Sequence, residues 1–427
     1  MPYRPKELKE QYLYPAIRTY YDEPLVLDHG MGTRVWDIGG RDYLDFFGGI
    51  LTVSVGHSNP RVVGRMGEQL KKIIHTSTCY LNEPMLEVAE KLAKITPGRL
   101  QKSFFLNSGT EAIETAIVSA KAHTGRHEII SLRHSYHGRS AVATTLTGHA
   151  PWKTVASTTP GIVHAHNGYC YRCPFKQTYP GCDLACARDL EELIKTTTSG
   201  AVAALIAEPI QGVGGFITPP PEFFQIAVEI ARKYGGVFIC DEVQTGFGRT
   251  GGKLFGIEHW GVEPEIMVFA KGLANGAAIG CTIALPEIAD NLKGSTISTF
   301  GGNPLSMAAA SATIDVILDE EIPQHVEQVG GLLMAGLREL HAEHKFIGDV
   351  RGKGLMIGVE LVGENKTPAP QVAVQFMECA RELGMLIGRG GLYGNVLRLT
   401  PPMTVKDTEV AEALDKLGKV CDQLNQA

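Results

Sequence analysis

The sequence comprises 427 residues, of which 44% are hydrophobic and 20% charged, as expected for a globular protein with one large and one smaller domain. The formal net charge of −6 argues against a nucleic-acid partner, and no apolar run reaches the length of a membrane span. Residues 1–15 show neither a signal-peptide core nor an Arg- and Ser-rich transit pattern, so we expect a cytoplasmic location.

The N-terminal stretch carries strand signals followed by helical ones. Short runs at residues 25–27, 34–37 and 42–46 are separated by glycines, which predicts a small antiparallel sheet ahead of the main domain. Between residues 60 and 96 apolar residues recur at helical spacing, so this stretch is predicted to be helical.

From residue 104 onward, apolar strands alternate with helical patterns. Strands are predicted at residues 104–106, 129–132, 203–207, 237–240, 266–270 and 279–284, and helices at 112–122 and 223–233. This alternation predicts a mostly parallel sheet with helices on both faces. A long helix is predicted to begin near Pro304, and from about Glu320 a separate helix–strand–helix unit follows, in which residues 351–360 supply one strand.

Two of the predicted strands lead into charged residues, Asp241 and Lys271. Because open α/β sheets bind ligands at the carboxyl ends of their strands, we expect these side chains to share one site. A lysine that forms a Schiff base and a carboxylate that keeps a pyridine nitrogen protonated fit pyridoxal phosphate. For these two residues alone, a buried structural ion pair is the alternative.

A phosphate site is predicted where the strand at 104–106 leads into a helix. Ser108, Gly109 and Thr110 stand at the start of that helix, whose free N–H groups can bind a phosphate. A simple helix cap is the alternative, because serine and threonine favour cap positions. Residues 246–251 fit the dinucleotide pattern G-x-G-x-x-G, but no apolar helical stripe follows them, which disfavours a nicotinamide site.

Four of the nine cysteines are clustered in the sequence. Cys170, Cys173, Cys182 and Cys186 lie in GYCYRCPFKQTYPGCDLACARDLEE. Free thiols are the ordinary expectation for a cytoplasmic enzyme, whereas a structural zinc site or a pair of disulfides stays open. No catalytic or substrate-binding metal is predicted.

Several segments together resemble the class III (ω-)aminotransferases, which are pyridoxal-phosphate enzymes of fold type I. The resemblance extends from about Tyr20 to Thr404 and rests on YLDFFGGILTVSVGHSNP, SYHG, AEPIQGVGGF, DEVQTGFGRTGG and TFGGNP. Within the class, these segments are most similar to the alanine–glyoxylate aminotransferase 2 / β-aminoisobutyrate–pyruvate group. The resemblance implies an α/β fold, with a large domain (59–320) around a mostly parallel seven-stranded sheet and a smaller α+β domain from both chain ends (1–58 and 321–427).

The resemblance also implies roles for individual residues. Lys271 would be the Schiff-base lysine that also moves the proton, and Asp241 the partner of the ring nitrogen. The other implied cofactor contacts are Ser108, Gly109 and Thr110 at the phosphate, Tyr136 with the neighbouring His137, Val243 on the ring face, Gln244 at the phenolic oxygen, and Thr299 from the other subunit. A threonine supplied by a second subunit implies a homodimer, or a tetramer, with shared active sites.

Substrate recognition is implied by Glu208, Arg398 and Ile50. In the family, an arginine at the position of Arg398 binds the substrate carboxylate. When the substrate has no carboxylate, a glutamate at the position of Glu208 pairs with that arginine. For Glu208, a structural role is the alternative. Ile50 lies in the segment that in this family lines the substrate mouth, often that of the partner subunit; plain core packing is the alternative for this segment. The expected reaction transfers an amino group from an ω- or β-amino acid, an amine or alanine to pyruvate or glyoxylate. A lyase, an aminomutase and a non-catalytic cofactor-binding protein are the alternatives.

Overall fold

The structure is a computed structural model that describes residues 4–156 and 159–426. The strands are β1 (Leu27–Met31), β2 (Arg34–Asp37), β3 (Asp42–Phe46), β4 (Lys102–Leu106), β5 (Ile129–Leu132), β6 (Ile162–Ala165), β7 (Ala204–Ala207), β8 (Val237–Asp241), β9 (Ile266–Ala270), β10 (Gly280–Ala284), β11 (Ile347–Lys353), β12 (Met356–Leu361), β13 (Met385–Gly390) and β14 (Val396–Leu399). The α-helices are α1 (Pro5–Tyr12), α2 (Gly48–Leu51), α3 (Pro60–Leu70), α4 (Glu83–Ile95), α5 (Gly109–Thr124), α6 (Ala141–Leu146), α7 (Ala185–Thr197), α8 (Phe223–Lys233), α9 (Pro286–Ala289), α10 (Pro304–Asp319), α11 (Ile322–Glu343), α12 (Pro370–Glu382) and α13 (Asp407–Gln426).

The large sheet has the strand order β4-β10-β9-β8-β7-β5-β6. Strand β10 runs antiparallel to both of its neighbours, and the other neighbouring pairs are parallel. Every residue of β8 and β9 is buried, because helices cover both faces of the sheet and leave no polar side. The prediction of a mostly parallel seven-stranded sheet is therefore confirmed.

The smaller sheet joins the two ends of the chain. Its strand order is β1-β2-β3-β13-β14-β12-β11, and β3 pairs in parallel with β13. The N-terminal strands are antiparallel to one another, as predicted, but they form one edge of this larger sheet and not a sheet of their own. The prediction of a smaller unit built from both chain ends is confirmed, while its exact boundaries stay a prediction.

Two local predictions are wrong. Residues 60–96 form α3 and α4 with a non-helical stretch between them, because Asn82 caps α4 by accepting a hydrogen bond from the Met85 N–H and Pro84 stands in its first turn. Residues 351–360 do not form one strand: they belong to β11 and β12, which pair as a hairpin. The chain turns at Gly354, whose φ is +54° and whose position leaves no room for a side chain against Thr250.

No helix in the described ranges combines the length and apolar character needed to cross a bilayer.

Candidate active site

Three charged residues lie at the carboxyl ends of neighbouring strands in the large sheet. Glu208 follows β7, Asp241 ends β8, and Lys271 follows β9. Strand β8 lies between β7 and β9 and is parallel to both. The parallel order thus brings the predicted acid and lysine to the same edge of the sheet, together with a second carboxylate.

Both oxygens of the Asp241 carboxylate are held by the chain. Oδ2 lies 2.7 Å from Nδ1 of His137, and Oδ1 accepts a hydrogen bond from the Val243 N–H at 3.1 Å. The side chains of His137 and Asp241 are 0% and 4% exposed, so the pair is shielded from water. Nε2 of His137 is buried without a hydrogen-bond partner among the described residues. His137 therefore orients Asp241, a contact that the sequence did not indicate.

The Lys271 side chain stands at a strained point of the backbone. Lys271 has φ +43°, in the left-handed region that side-chain-bearing residues rarely adopt and that is often found at functional sites. The pKa of its amine is lowered to about 8, chiefly by burial and next by the charge of Arg398, while the charges of Asp241 and Glu208 act to raise it. An amine with this pKa is largely uncharged in mildly alkaline solution and can act as a nucleophile or a base.

A cavity of about 210 Å³ connects these groups. Asp241, Lys271 and Glu208 line it, together with Gly109, Thr110, Ile113, Tyr136, His137, Gly138, Arg139, Val243, Gln244 and Ala270. Most of the predicted cofactor contacts are thus brought together in one space. Arg139, Gly138 and Ile113 were not predicted; the position of Gly138 and Arg139 directly after the SYHG motif was the available signal for those two.

The start of α5 forms one end of the cavity. The N–H groups in the first turn of a helix have no partner within the helix, and Gly109 and Thr110 supply them here. A β-carbon on Gly109 would approach the side chain of Val243 to 3.3 Å, so glycine leaves the cavity open at this point. Ser108 does not line the cavity: its hydroxyl caps α5 by accepting from the Glu111 N–H, which is the alternative role considered for it.

Glu208 is held by two backbone groups. Its Oε1 accepts from the Tyr136 N–H at 3.0 Å, and its Oε2 accepts from the Gly212 N–H at 2.8 Å. Burial raises the pKa of the Glu208 carboxyl to about 7; the charge of His137 opposes this rise, and that of Asp241 adds to it. The Tyr136 ring packs edge-on against Trp152, with 5.3 Å between ring centroids. Glu208 therefore positions the segment that carries Tyr136 as well as facing the cavity.

Arg398 is buried beside the cavity and has no carboxylate partner in residues 4–156 and 159–426. Its guanidinium lies over the rings of Phe47 and Phe216, at 5.4 and 5.0 Å from the ring centroids. Nη2 donates to Oε1 of Gln244 at 3.4 Å, and Nε is buried without a partner. The pairing with Glu208 found in the family is therefore not formed in this conformation. The two flanking phenylalanines were not predicted as contacts of Arg398.

Thr299 and Ile50 lie outside this cavity. Thr299 is exposed in the loop before α10, and Ile50 is 43% exposed in the short turn of α2, with φ +65°. Phe47, just before that turn, contacts Arg398. Within a single chain neither residue reaches the other predicted site residues, as expected if both act across a subunit interface.

Neither the G-x-G-x-x-G pattern at residues 246–251 nor the cysteine cluster forms a dinucleotide or metal site in the described part of the chain. Residues 246–251 lie in a turn region between β8 and a 3-10 helix at Gly256–Trp260, so they do not open an α-helix as a dinucleotide fingerprint must. The four clustered cysteines are free thiols. In the described part of the chain no three metal-ligating side chains are arranged to hold an ion.

This fold and this site define a pyridoxal-phosphate-dependent enzyme of fold type I. The chain belongs to the class-III aminotransferase family, whose model matches residues 17–421. It is 41% identical to alanine–glyoxylate aminotransferase 2 homolog 2, mitochondrial, of Arabidopsis thaliana, over 95% of this chain and 85% of that protein. It is 38% identical to the human mitochondrial alanine–glyoxylate aminotransferase 2, over 96% of this chain and 84% of that protein. These matches favour an aminotransferase over a lyase or aminomutase.

A solved structure gives the same result. The chain is similar to the amine transaminase of an uncultivated Pseudomonas species in its PLP-bound form, with a TM-score of 0.89 and 29% identity over 96% of this chain and 98% of that one. The cavity fits the same cofactor: it presents a carboxylate, a lysine of lowered pKa and a helix N-terminus kept open by Gly109. Pyridoxal phosphate is therefore the cofactor of this enzyme.

The lowered pKa of Lys271 gives a pH prediction. The rate at which apoenzyme captures pyridoxal phosphate should rise roughly tenfold for each pH unit below 8 and level off above it, because only the uncharged amine attacks the aldehyde. Stopped-flow absorbance measures this rate, and borohydride trapping with peptide mapping verifies that Lys271 is modified. A rate that keeps rising to pH 10 would contradict the lowered pKa.

Proposed function

We propose that this enzyme transfers an amino group from an ω- or β-amino acid, an amine or alanine to an α-keto acid such as pyruvate or glyoxylate. The observation that carries the proposal is Arg398, a buried cation without a carboxylate partner in the described ranges, next to a residue that lines the cavity. A buried charge without a partner is costly. A substrate carboxylate would remove that cost, and an arginine can bind it through two parallel hydrogen bonds.

The roles of the catalytic residues follow from their chemistry. Bound pyridoxal phosphate supplies an electron sink for the carbon that carries the amino group. Lys271 would hold the cofactor in the resting enzyme and would act as the general base and acid that moves the proton at that carbon. Asp241, oriented by His137, keeps its negative charge close to the ring nitrogen. These assignments rest on the positions of the two residues at the ends of β8 and β9.

The remaining site residues have supporting roles in this proposal. Val243 and Tyr136 would pack against the ring, Gln244 would contact the phenolic oxygen, and Gly109 and Thr110 would bind the phosphate, with Ser108 capping their helix. Glu208 has a pKa raised to about 7 by burial, so it can carry either charge state near neutral pH. It can therefore compensate the charge of Arg398 after a side-chain rotation when the substrate lacks a carboxylate.

Replacing Arg398 by alanine should affect the two half-reactions differently. The KM for pyruvate or glyoxylate should rise roughly ten- to a hundred-fold, since a charge-assisted hydrogen bond contributes about 1.5–3 kcal/mol. The half-reaction with an amine that has no carboxylate should change far less. Single-turnover rates for each half-reaction measure this difference, with Glu208→Gln as the converse variant, which should impair carboxylate-free donors. Equal damage to both half-reactions by Arg398→Ala would mean that the arginine is structural.

We further propose that the enzyme is a homodimer, or a tetramer, with shared active sites. The segments 70–86 and 297–302 are adjacent, since Nδ2 of Asn82 donates to the Gly302 carbonyl at 3.0 Å. Together the two segments expose eight large apolar side chains, and apolar surface of this kind often marks a protein–protein interface. These residues are Leu70, Ile73, Ile74, Tyr80, Leu81, Leu86, Ile297 and Phe300.

Thr299 tests the shared site. If Thr299 binds the cofactor phosphate of the partner subunit, Thr299→Ala should weaken cofactor retention, and dilution to monomers should release cofactor from the wild type. Equilibrium dialysis combined with analytical ultracentrifugation measures both, and Thr296→Ala in the same exposed loop is the matched control. A stable monomer that keeps its cofactor would rule the shared site out.

We propose a cytoplasmic location as well, with which the state of the cysteines is compatible. All nine cysteines are free, as is usual in a reducing compartment.

A further inference from the structure

The four clustered cysteines surround a small enclosed space that the proposed reaction does not use. A cavity of about 20 Å³ is lined by Cys170, Cys173, Cys182 and Cys186 and otherwise mainly by apolar and aromatic side chains such as Phe175 and Leu184. Cys170 is exposed, and the other three are half-buried. The cluster is therefore accessible to a small reagent from one side.

The four cysteines lie in two short segments of the chain, one at a 3-10 turn and one at the start of α7. Cys170 lies in a 3-10 turn that ends at Arg172, and Cys173 follows it. Cys182 and Cys186 flank the start of α7, and the Ala185 N–H donates to the Cys182 carbonyl at 3.1 Å. A C-x2-C turn thus faces the first turn of a helix, with the exposed residue Lys176 in the chain between them.

The thiols are close enough to influence one another. Burial raises the pKa of the Cys170 thiol, and Cys182 and then Cys173 raise it further. The pKa of the Cys186 thiol is raised to about 11, chiefly by burial. Among the neighbouring thiols, Cys170 makes the largest contribution to this rise. These contributions agree with the shared position of the four thiols around the cavity, and among them Cys182 contributes most to the rise in the pKa of Cys170. No three of these groups are arranged for a metal ion, so proximity exists without a preformed ion site.

From this arrangement we infer that Cys170 and Cys182 form a reversible disulfide, with a low-molecular-weight disulfide such as oxidised glutathione as the oxidant. The Cys170 thiolate attacks one sulfur of the oxidant and releases one free thiol. The Cys182 thiolate then attacks the resulting mixed disulfide and releases the second thiol. Two protein thiols are oxidised, one small disulfide is reduced, and the two protons leave on the released thiols.

The crosslink would fasten a segment that connects the two sheets. Next to Cys170, the Tyr169 hydroxyl and the Arg172 guanidinium both donate to the buried carboxylate of Glu360 in β12. Strand β12 pairs with β14, where Gly358 stands opposite Arg398. A disulfide between Cys170 and Cys182 should therefore stabilise the protein against unfolding. The stabilised region is the loop of the large domain whose Tyr169 and Arg172 bind Glu360 in the smaller sheet.

Peptide mapping of the full-length holoenzyme tests the pair. The protein is equilibrated with reduced and oxidised glutathione in varied ratio, its free thiols are alkylated, and it is digested without reduction. Trypsin cuts after Arg172 and Lys176 and so places Cys170, Cys173 and the pair Cys182/Cys186 on three different peptides. We expect the Cys170 peptide to be linked to the Cys182/Cys186 peptide, and the link to persist in Cys173→Ser, Cys186→Ser and the distant control Cys79→Ser. It should be lost in Cys170→Ser and in Cys182→Ser.

Thermal unfolding provides the second readout. Oxidised wild type should unfold several degrees above reduced wild type, whereas Cys170→Ser should show no difference between the two conditions. Equal midpoints for reduced wild type and reduced Cys170→Ser would establish that the variant folds normally. The proposal is overturned if no linked peptide forms at any glutathione ratio, if links form only within Cys170/Cys173 or Cys182/Cys186, or if the link survives in Cys182→Ser. Stoichiometric zinc bound by the four thiols and protecting them from oxidation would also overturn it.

Discussion

Lys271→Ala should abolish turnover and remove the visible absorption band of the enzyme-bound cofactor. The described residues offer no second lysine in the cavity, so no other amine can hold the cofactor aldehyde or carry the proton. Both the covalent attachment and the general base are lost in one substitution. Steady-state transamination and the absorbance spectrum of the purified variant measure the two effects separately.

Lys253→Ala is the matched control for this substitution. Lys253 is an exposed lysine in the chain segment between β8 and β9, so its loss should leave the band and the turnover rate close to those of the wild type. Measurable transamination by Lys271→Ala, together with an unchanged cofactor spectrum, would refute the assignment of Lys271.

Asp241→Asn should have the second-largest effect. A neutral amide cannot hold a proton on the ring nitrogen, and its amide group would also disturb the contact with Nδ1 of His137. Losing one electrostatic group that stabilises developing charge in a desolvated site costs about 2.7–4 kcal/mol of transition-state stabilisation, which corresponds to roughly two to three orders of magnitude in rate. Single-turnover measurement of the amine half-reaction gives this loss directly.

The fold of Asp241→Asn has to be checked beside its rate. Circular dichroism and the thermal midpoint should stay near those of the wild type when cofactor is bound. Asp189→Asn, which removes a carboxylate 3.9 Å from the ring of His166 outside the cavity, should leave the rate unchanged. A rate for Asp241→Asn within a factor of a few of wild type would remove Asp241 from the ring-nitrogen role.

The central part of the fold and site could be predicted because the signals were local. Strands β8 and β9 are apolar runs that end at charged residues: β8 ends at Asp241, which Glu242 follows, and Lys271 comes directly after β9. In a parallel sheet, neighbouring strand ends meet, so sequence position alone placed the acid and the lysine together. The same reasoning placed Gly109 and Thr110 in the cavity, because the start of a helix after a strand has a defined direction.

Other features depend on contacts between distant parts of the chain. The turn between β11 and β12 lies at Gly354, and close packing against the Thr250 backbone, a contact between distant parts of the chain, requires a glycine there. The position of Arg398 between Phe47 and Phe216 brings three separate segments together. The spacing of apolar residues along the chain does not predict contacts between segments so far apart in sequence. The contact between His137 and Asp241 is of the same kind, since the two residues are 104 positions apart.

The most direct test of the account is a single turnover of the holoenzyme with one amine donor, β-aminoisobutyrate, in the absence of a keto acid. We expect the cofactor to be converted to pyridoxamine phosphate, one equivalent of the donor's carbonyl product to appear, and no ammonia to be released. Glyoxylate added afterwards should restore the original spectrum and yield one equivalent of glycine. Release of ammonia with an unchanged cofactor would show an elimination reaction and would contradict the assignment as an aminotransferase.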